Sequence, residues 1–483
     1  MIKKLVDKLW ISPEINSTAR NISYYNHLYP LHENVYILFN GLTGAIDAVS
    51  SDIYRLLNNK CLTNDLSLNY NEVNYLISRG YITKSKDSED GIRLQLINSL
   101  ANDAQFGQIS FLICPTNFCR MGCEYCFTYG FTNKSDRKVL SNKQIEAIFE
   151  RINDISRKKV YQEKIIVFYG GEPFQPFTIK AVEKIFKLAK REGYSIAGFT
   201  NGYYLDKFYF VLKQYRDLIK LLSITLDTPT SHDNRRNMKD SFRTVLRNII
   251  MMGEIEGFPI QIKTNIDLNT IKSLEESIKL FKSEKWWDNH FFSFELNPIR
   301  YGNLSLHDSS KYDAELSVEL VKRVRTNSEF MRFNFLPVLD YSYYFLQSFG
   351  LIEKNATFNI EPIKVPKIYN CPSVKGDLFV FDAEGKIYLC NEEIGNQNKV
   401  YGMYTDGHYT LDEIELSLYT GRNIKQLKPC TECKFAFICA GGCACYAKEI
   451  SKVKCPTFND DILNIISAFK LEILAHLQTI KSI

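Results

Sequence analysis

The cysteines restrict what this chain can become more than any other feature. Twelve of the 13 fall in two groups. Cys114, Cys119, Cys123 and Cys126 share one short segment, and Cys371, Cys390, Cys430, Cys433, Cys439, Cys443, Cys445 and Cys455 lie near the C-terminus. The 244 residues between the groups contain none, and Cys61 stands alone. Met1 to Trp10 carries lysines but no apolar core or small-residue cleavage site, and no run of 18 apolar residues occurs, so the expectation is a cytoplasmic protein without a membrane span. Thiols clustered in such a chain point to metal rather than to disulfides. A net charge of +5 over 483 residues is too weak to imply a nucleic-acid partner.

The expected organisation is a partial (β/α)6 TIM-like barrel, an α/β fold, with a smaller unit at each end. Residues 1–105 form the first unit. Val35–Phe39 and Ala45–Val49 read as a hairpin around Asn40-Gly41 and Gly44, and helices follow at Ile53–Leu57 and Asn71–Ser78. Gly80 ends the second helix, and Tyr81–Thr83 returns as a strand. This β-β-α-α-β order suits a winged-helix-like module, and the polar run Lys84–Gly91 reads as a linker or loop. Over 106–330, apolar strands alternate with helical patterns, beginning at Gln108–Ile113, Lys164–Tyr169, Ser195–Phe199, Leu221–Leu226, Ile260–Thr264 and Phe291–Leu296. Six βα units predict a parallel sheet whose chemistry gathers at the C-terminal ends of the strands. Ser141 and Gln144 form a capping box ahead of Ile145, Ile148, Phe149, Ile152 and Ile155 at helical spacing. Residues 331–370 bridge to a cysteine-rich segment, 371–483, with a hairpin at Leu378–Phe381 and Lys386–Leu389 and a final amphipathic helix from Asp460 to about Ile480.

Cys119-x3-Cys123-x2-Cys126 follows the first barrel strand. Three thiolates on a short loop can hold three irons of a 4Fe–4S cube and leave the fourth open. The competing use of these thiols is a structural zinc site completed by Cys114. Cys114 ends an apolar run and reads as a buried strand thiol.

This spacing, with Tyr125 before the last cysteine, resembles the radical S-adenosylmethionine (SAM) superfamily. Tyr169-Gly170-Gly171-Glu172-Pro173 after the second strand resembles that family's Gly-Gly-Glu motif, and Thr200-Asn201-Gly202 and Thr225-Leu226-Asp227 end the third and fourth strands where relatives carry similar triplets. The resemblance implies that SAM chelates the open iron and is cleaved to a 5′-deoxyadenosyl radical, a chemistry the cofactor carries and the protein positions. It implies that Gly170 and Gly171 let the backbone approach the methionine moiety. By the same resemblance Glu172 accepts from the SAM ammonium, Asn201 lines the site, Thr225 or Ser223 touches the ribose and Arg236 meets the carboxylate. Thr225 and Thr228 depart from the serine and glycine usual there. His232 and Asp233 read as loop or capping hydrogen-bond partners rather than catalytic groups.

Cys371-x13-Gly385-x4-Cys390, Cys430-x2-Cys433-x5-Cys439-x3-Cys443 and Cys455 match the seven-cysteine pattern of the SPASM extension, which is found on radical SAM enzymes that modify peptides and proteins. Zinc ribbons are the alternative. The resemblance assigns Cys430, Cys433, Cys439 and Cys455 to one complete cluster, and Cys371, Cys390 and Cys443 to another, three clusters in all. The last set lacks a fourth thiol. Either its open iron takes a substrate thiolate, or Cys445, on the same face of a strand as Cys443, closes it. Cys61 reads as a half-buried thiol.

The first unit resembles PqqD-like modules, which bind the leader of a ribosomally made (RiPP) precursor peptide as an added strand; the alternative is a structural cap. Together these resemblances imply a thioether-forming peptide maturase, an oxidoreductase. In it the adenosyl radical takes a hydrogen from the precursor and a cysteine sulfur closes on the carbon. An external donor of flavodoxin or ferredoxin type supplies electrons. A sulfatase-type formylglycine maturase, a peptide epimerase or a carbon–carbon cross-linking enzyme are rivals of the same chemistry. A non-catalytic iron–sulfur or zinc scaffold is the rival of another class.

Overall fold

The pairing of the strands decides where the cysteines go. The computed structural model describes residues 2–5, 21–58, 69–103, 107–126, 128, 136–158, 160–299, 306–335, 340–352, 366–405, 408–445, 447, 452–453, 455 and 458–482. Cys61 lies outside them.

The N-terminal unit holds β1 (Ile2–Lys4), β2 (Asn21–Ile22), β3 (Asn26–His32), β4 (Val35–Asn40), β5 (Ile46–Ser50) and β6 (Ile82–Thr83). The expected hairpin forms between β4 and β5, with Phe39 opposite Ile46. The β-β-α-α-β order needs correction, because three further strands precede it. The sheet runs β1-β5-β4-β3, antiparallel throughout, while β6 pairs with β2 instead of joining it. Pro30 within β3 hides that strand from a sequence reading, and edge strands are where proline is tolerated. Helices Ser51–Asn58 and Tyr70–Ser78 follow as expected, the second closed by Gly80 at φ +83°. Asp47 on β5 is fully buried and accepts from Arg79 Nε at 2.8 Å, Tyr75 Oη at 2.8 Å and Tyr81 Oη at 2.5 Å. This network locks the second helix to the sheet.

The expected linker at Lys84–Gly91 is instead the start of an 18-residue helix, Lys86–Asp103. Asp87 and Glu89 sit in its first turn, where the helix dipole favours acids. Glu89 is buried and accepts from Ser23 Oγ and from Tyr24 N, the latter at 3.2 Å. Leu96 and Ile97 pack with Tyr25, Leu42, Ile424, Leu427 and Phe437. The segment therefore ties the N-terminal unit to the C-terminal cysteine region.

The barrel strands are β7 (Gln108–Ile113), β8 (Glu163–Phe168), β9 (Ser195–Thr200), β10 (Ile219–Thr225), β11 (Ile260–Ile266) and β12 (Phe292–Pro298), parallel and adjacent in chain order. β13 (Phe333–Phe335) extends them in parallel. Alternate residues serve two cores. Phe111, Ile166, Phe168, Ile196, Ile224 and Ile262 join the main core with the flanking helices, among them Ile145, Ile148, Phe149 and Ile152 of the capped helix Asn142–Arg157. Leu112, Cys114, Ile165, Val167 and Val380 form the inner one. On the other side of β7 lies β14 (Leu378–Phe381), parallel, with Phe381 opposite Ile113. β15 (Lys386–Tyr388), β16 (Gly402–Thr405) and β17 (His408–Leu411) continue antiparallel, so one mixed sheet of 11 strands spans barrel and cysteine region. The final helix is two, Phe458–Ala468 and Lys470–Thr479, broken at Phe469. No helix among the described residues is long and apolar enough to cross a membrane.

Replacing Asp47 with alanine strips the buried Arg79 of its counter-charge. The expected loss is about 3–5 kcal/mol, read as an earlier urea transition of the N-terminal unit with weakened hydrogen-exchange protection in β4 and β5.

Candidate active site and cysteine clusters

The loop after β7 carries Cys119, Cys123 and Cys126, and neighbouring strand ends hold it on two sides. Gly171 N donates to Thr116 O at 3.4 Å and Glu172 N to Phe118 O at 3.0 Å. Gly122 N and Glu124 N each donate at 3.2 Å, to Arg236 O and Arg235 O. A Cβ on Gly170 (φ +110°) would stand 2.7 Å from the Cβ of Cys114, and one on Gly171 would stand 2.4 Å from Asn117 O. These two glycines are thus required by the approach of the cysteine loop itself.

Glu172 is buried. Its carboxylate accepts from Thr200 Oγ1 at 2.7 Å, Asn201 N at 2.7 Å and Phe174 N at 3.0 Å. Three donors fill three of the roughly four acceptor positions of a carboxylate and clamp β8 to β9. Burial pushes the carboxyl up, and these donors together with Arg236 oppose it. Asn201 Nδ2 lies 3.9 Å from Cys119 Sγ, and Arg236 Nη1 lies 3.6 Å from Cys123 Sγ. The thiols press on one another. Burial, then the Glu172 charge, pushes Cys119 up to about 12, with Cys123 and Cys126 adding to it. Burial raises Cys123 against the pull of Arg236. Buried thiols so grouped become thiolates together only beside a compensating cation.

Arg236 is itself buried. Its Nε donates to Asp227 Oδ2 at 3.2 Å, its guanidinium lies 5.6 Å from the Tyr125 ring, and its Nη2 has no hydrogen-bond partner among the described residues. Asp227 also accepts from Asn265 N and Nδ2, both at 2.9 Å, and from Tyr125 Oη at 3.3 Å. Burial pushes Asp227 up, but Arg236, His232 and Asn265 outweigh it and hold the carboxyl below its usual range. Ser223 Oγ is buried and unpartnered among the described residues, whereas Thr225 is only partly buried. His232 Nδ1 accepts from Asp227 N at 3.1 Å. Asp233 takes Ser241 Oγ at 2.8 Å, Phe242 N at 2.7 Å and Asp240 N at 2.8 Å, fixing the start of helix Ser241–Gly253. Both residues have the hydrogen-bonding roles expected of them.

Strands β11 and β12 add groups that the sequence reading passed over. Lys263 pairs with Glu295 at 3.8 Å, and Gln261 keeps an unpartnered Oε1 among the described residues. Asn297 Nδ2 reaches Asn265 Oδ1 at 3.1 Å. Their signal is a polar residue at every second position of an otherwise apolar strand.

The C-terminal thiols form two further sets. Cys430, Cys433, Cys439 and Cys455 line one cavity of about 290 Å³ with Pro429, Phe435 and Val453. The buried Arg422 donates to Gly442 O and to Gly441 O of the cavity lining, each at 2.8 Å. Burial, with help from the neighbouring thiols, pushes Cys430 up to about 11 and Cys439 up to about 12. In the other set, Cys371 stands within the electrostatic reach of Cys443 and Cys390. This second set borders the barrel interior. Asn391, next to Cys390, donates to Tyr169 Oη at 3.2 Å, and Tyr169 itself feels Cys126. Among the described residues no three Cys, His, Asp or Glu side chains come close enough to share one metal ion. The donors of both sets are thiols, the ligands that iron–sulfur clusters take.

Residues 113–281 match the Radical SAM superfamily model. Radical SAM cyclopropyl synthase TigE of Paramaledivibacter caminithermalis is 22% identical over 460 residues, 89% of this chain and 90% of that protein. Native anSMEcpe with bound AdoMet and the Cp18Cys peptide has a TM-score of 0.50 at 17% identity, covering 77% of this chain and 99% of that one. Streptococcus suis SuiB bound to the precursor peptide SuiA has a TM-score of 0.47 at 16% identity, covering 90% and 99%. The chain therefore carries a radical SAM domain on a partial barrel and is an enzyme of the oxidoreductase kind.

Burial and the Arg236 charge hold His232 down at about 4. The unfolded chain protonates it near 6.5, so stability present above that pH is lost as the pH falls toward 4, by roughly 3 kcal/mol. Urea unfolding of wild type and His232→Gln between pH 7 and 4 checks this, and the variant is expected to lose less.

Proposed function

We propose that the chain is a radical SAM peptide maturase with three 4Fe–4S clusters and a SPASM-type C-terminal domain. When bound, a cube with one open iron supplies the electron that splits SAM into methionine and a 5′-deoxyadenosyl radical, which takes a hydrogen atom from a substrate carbon. The observation that carries the reading is the convergence, at one barrel mouth, of Cys119, Cys123 and Cys126 with Arg236, whose Nη1 reaches Cys123 and whose Nη2 has no partner among the described residues. Cys119, Cys123 and Cys126 hold the cluster. Arg236 receives the SAM carboxylate, Glu172 uses its remaining acceptor position for the ammonium, and Asn201 lines the same wall. Ser223 takes the ribose in preference to Thr225, because only its hydroxyl is buried without a partner among the described residues. Gly170 and Gly171 keep that wall within reach of the cysteine loop. Cys430, Cys433, Cys439 and Cys455 hold one auxiliary cluster, and Cys371, Cys390 and Cys443 belong to the other. The apolar wall of Leu112, Val167 and Tyr169 keeps water from the radical, and Lys263 and Glu295 face the substrate.

The substrate in this reading is a peptide, as for anSMEcpe with its bound peptide. The domains divide at 1–105, 106–330, 331–370 and 371–483. The first is the PqqD-like leader-binding unit, whose antiparallel sheet supports strand addition. The enzyme works in the cytoplasm with a flavodoxin- or ferredoxin-type donor. Two closing bonds fit a carbon radical on the precursor, a thioether to a cysteine sulfur or a carbon–carbon ring. The TigE likeness over 89% of the chain favours the second.

Anaerobic reconstitution with iron, sulfide, SAM and dithionite tests the reading. Wild type is expected to release 5′-deoxyadenosine and methionine, and Cys126→Ala to release none. Arg236→Leu is expected to raise the KM for SAM by ten-fold or more, in keeping with a lost charge-assisted hydrogen bond of about 1.5–3 kcal/mol. Release of no 5′-deoxyadenosine by wild type contradicts the proposal.

A further inference from the structure

Among the C-terminal thiols, Cys445 has no place in the seven-cysteine pattern, yet it does not stand apart. Cys390 and Cys443, the two partners of Cys371, stand within the electrostatic reach of its thiol. The buried Tyr419 phenol faces the same group, with its Oη 3.9 Å from Cys445 Sγ and Cys390 and Cys371 also within its electrostatic reach. A second observation marks the spot. Glu393, three residues from Cys390, is only 2% exposed, and its carboxylate is answered by Lys399 and the Cys445 thiol, with Cys443 beside it.

We infer that Cys445 is the fourth ligand of the auxiliary cluster held by Cys371, Cys390 and Cys443, so that this cluster is closed by the protein's own thiols. The inference rests on the proposed function and narrows it. Cys443 and Cys445 are two residues apart on a turn that follows the left-handed Ala440 (φ 52°) and Gly441 (φ 84°), in place of the expected strand. Thiolate is the ligand that iron–sulfur clusters prefer. With four thiolates in place, a precursor cysteine has no iron to bind at this site, and the cluster is left to take up electrons. A closing bond between two carbons needs nothing more from it.

The test uses the full chain carrying Cys119→Ala, Cys123→Ala and Cys126→Ala, which removes the open site at the barrel mouth. Iron and sulfide are counted after anaerobic reconstitution, and the reduced protein is followed by electron paramagnetic resonance as β-mercaptoethanol is added. About eight irons per chain are expected, with a spectrum that the thiol leaves unchanged. Adding Cys445→Ala is expected either to lose about four irons, as Cys371→Ala does, or to keep them with a spectrum that now responds to the thiol. Cys445→Ser keeps the side-chain volume and serves if the alanine variant fails to fold. Glu393→Gln is expected to keep all the iron. A thiol-responsive spectrum with Cys445 intact overturns the inference. So does a Cys445→Ala or Cys445→Ser variant that keeps full iron and an unresponsive spectrum. Iron loss in Glu393→Gln but not in Cys445→Ala assigns the corner to the carboxylate and also overturns it. Zinc, or no cluster at all, in the parent protein strikes instead at the proposed function.

Discussion

The parallel pairing of β14 with β7 is the constraint on which the rest of the molecule depends. Cys114 N donates to Phe381 O at 2.9 Å, and from that bond the two chains diverge, one into the first cysteine loop and the other into the hairpin of the second cysteine region. Asp382, just past the pairing, is buried. It accepts from the turn amides of Glu384 and Lys386, both at 2.9 Å, and from Asn117 Nδ2 on the opposite loop at 3.4 Å. Segments 265 residues apart in sequence are held in register at one barrel mouth. Cys390 then reaches the barrel interior through Asn391 and Tyr169.

Charge is arranged as tightly as backbone. Asp227 stays ionised in full burial because Arg236 and the Asn265 amide groups answer it, and Arg236 in turn spans Asp227 and Cys123. Its Nη2 is left without a hydrogen-bond partner among the described residues. His232 stays neutral and spends its Nδ1 on a backbone N–H, which keeps a second positive charge away from that site. In this arrangement Arg236 joins the three thiols at one barrel mouth, and apolar side chains line the barrel interior.

Much of this was legible in the sequence because the signals were local. The six barrel strands, the Ser141–Gln144 cap and the Leu378–Phe381 hairpin each carry their own periodicity or turn residues, and each forms where it was expected. The missed elements depend on distant partners. β3 contains Pro30 and exists because β4 pairs with it, and helix Lys86–Asp103 opens with a loop-like composition but is anchored by Glu89 on Ser23 and Tyr24. The family resemblance gives the glycines after β8 to a ligand. Their first obligation is to the backbone at 114–118, a contact between two loops that spacing along the chain does not reveal. The inward Lys263–Glu295 pair was visible as alternation, but its meaning depends on which face of the sheet turns inward.

The central claim is that three protein thiols at the barrel mouth leave one metal corner for SAM. Electron–nuclear double resonance on the reduced, anaerobically reconstituted protein tests it most directly, using SAM labelled at its amino nitrogen. The account expects a hyperfine coupling between that nitrogen and the Cys119/Cys123/Cys126 centre, lost when Cys126 is replaced by alanine. A protein that binds labelled SAM and shows no such coupling contradicts it.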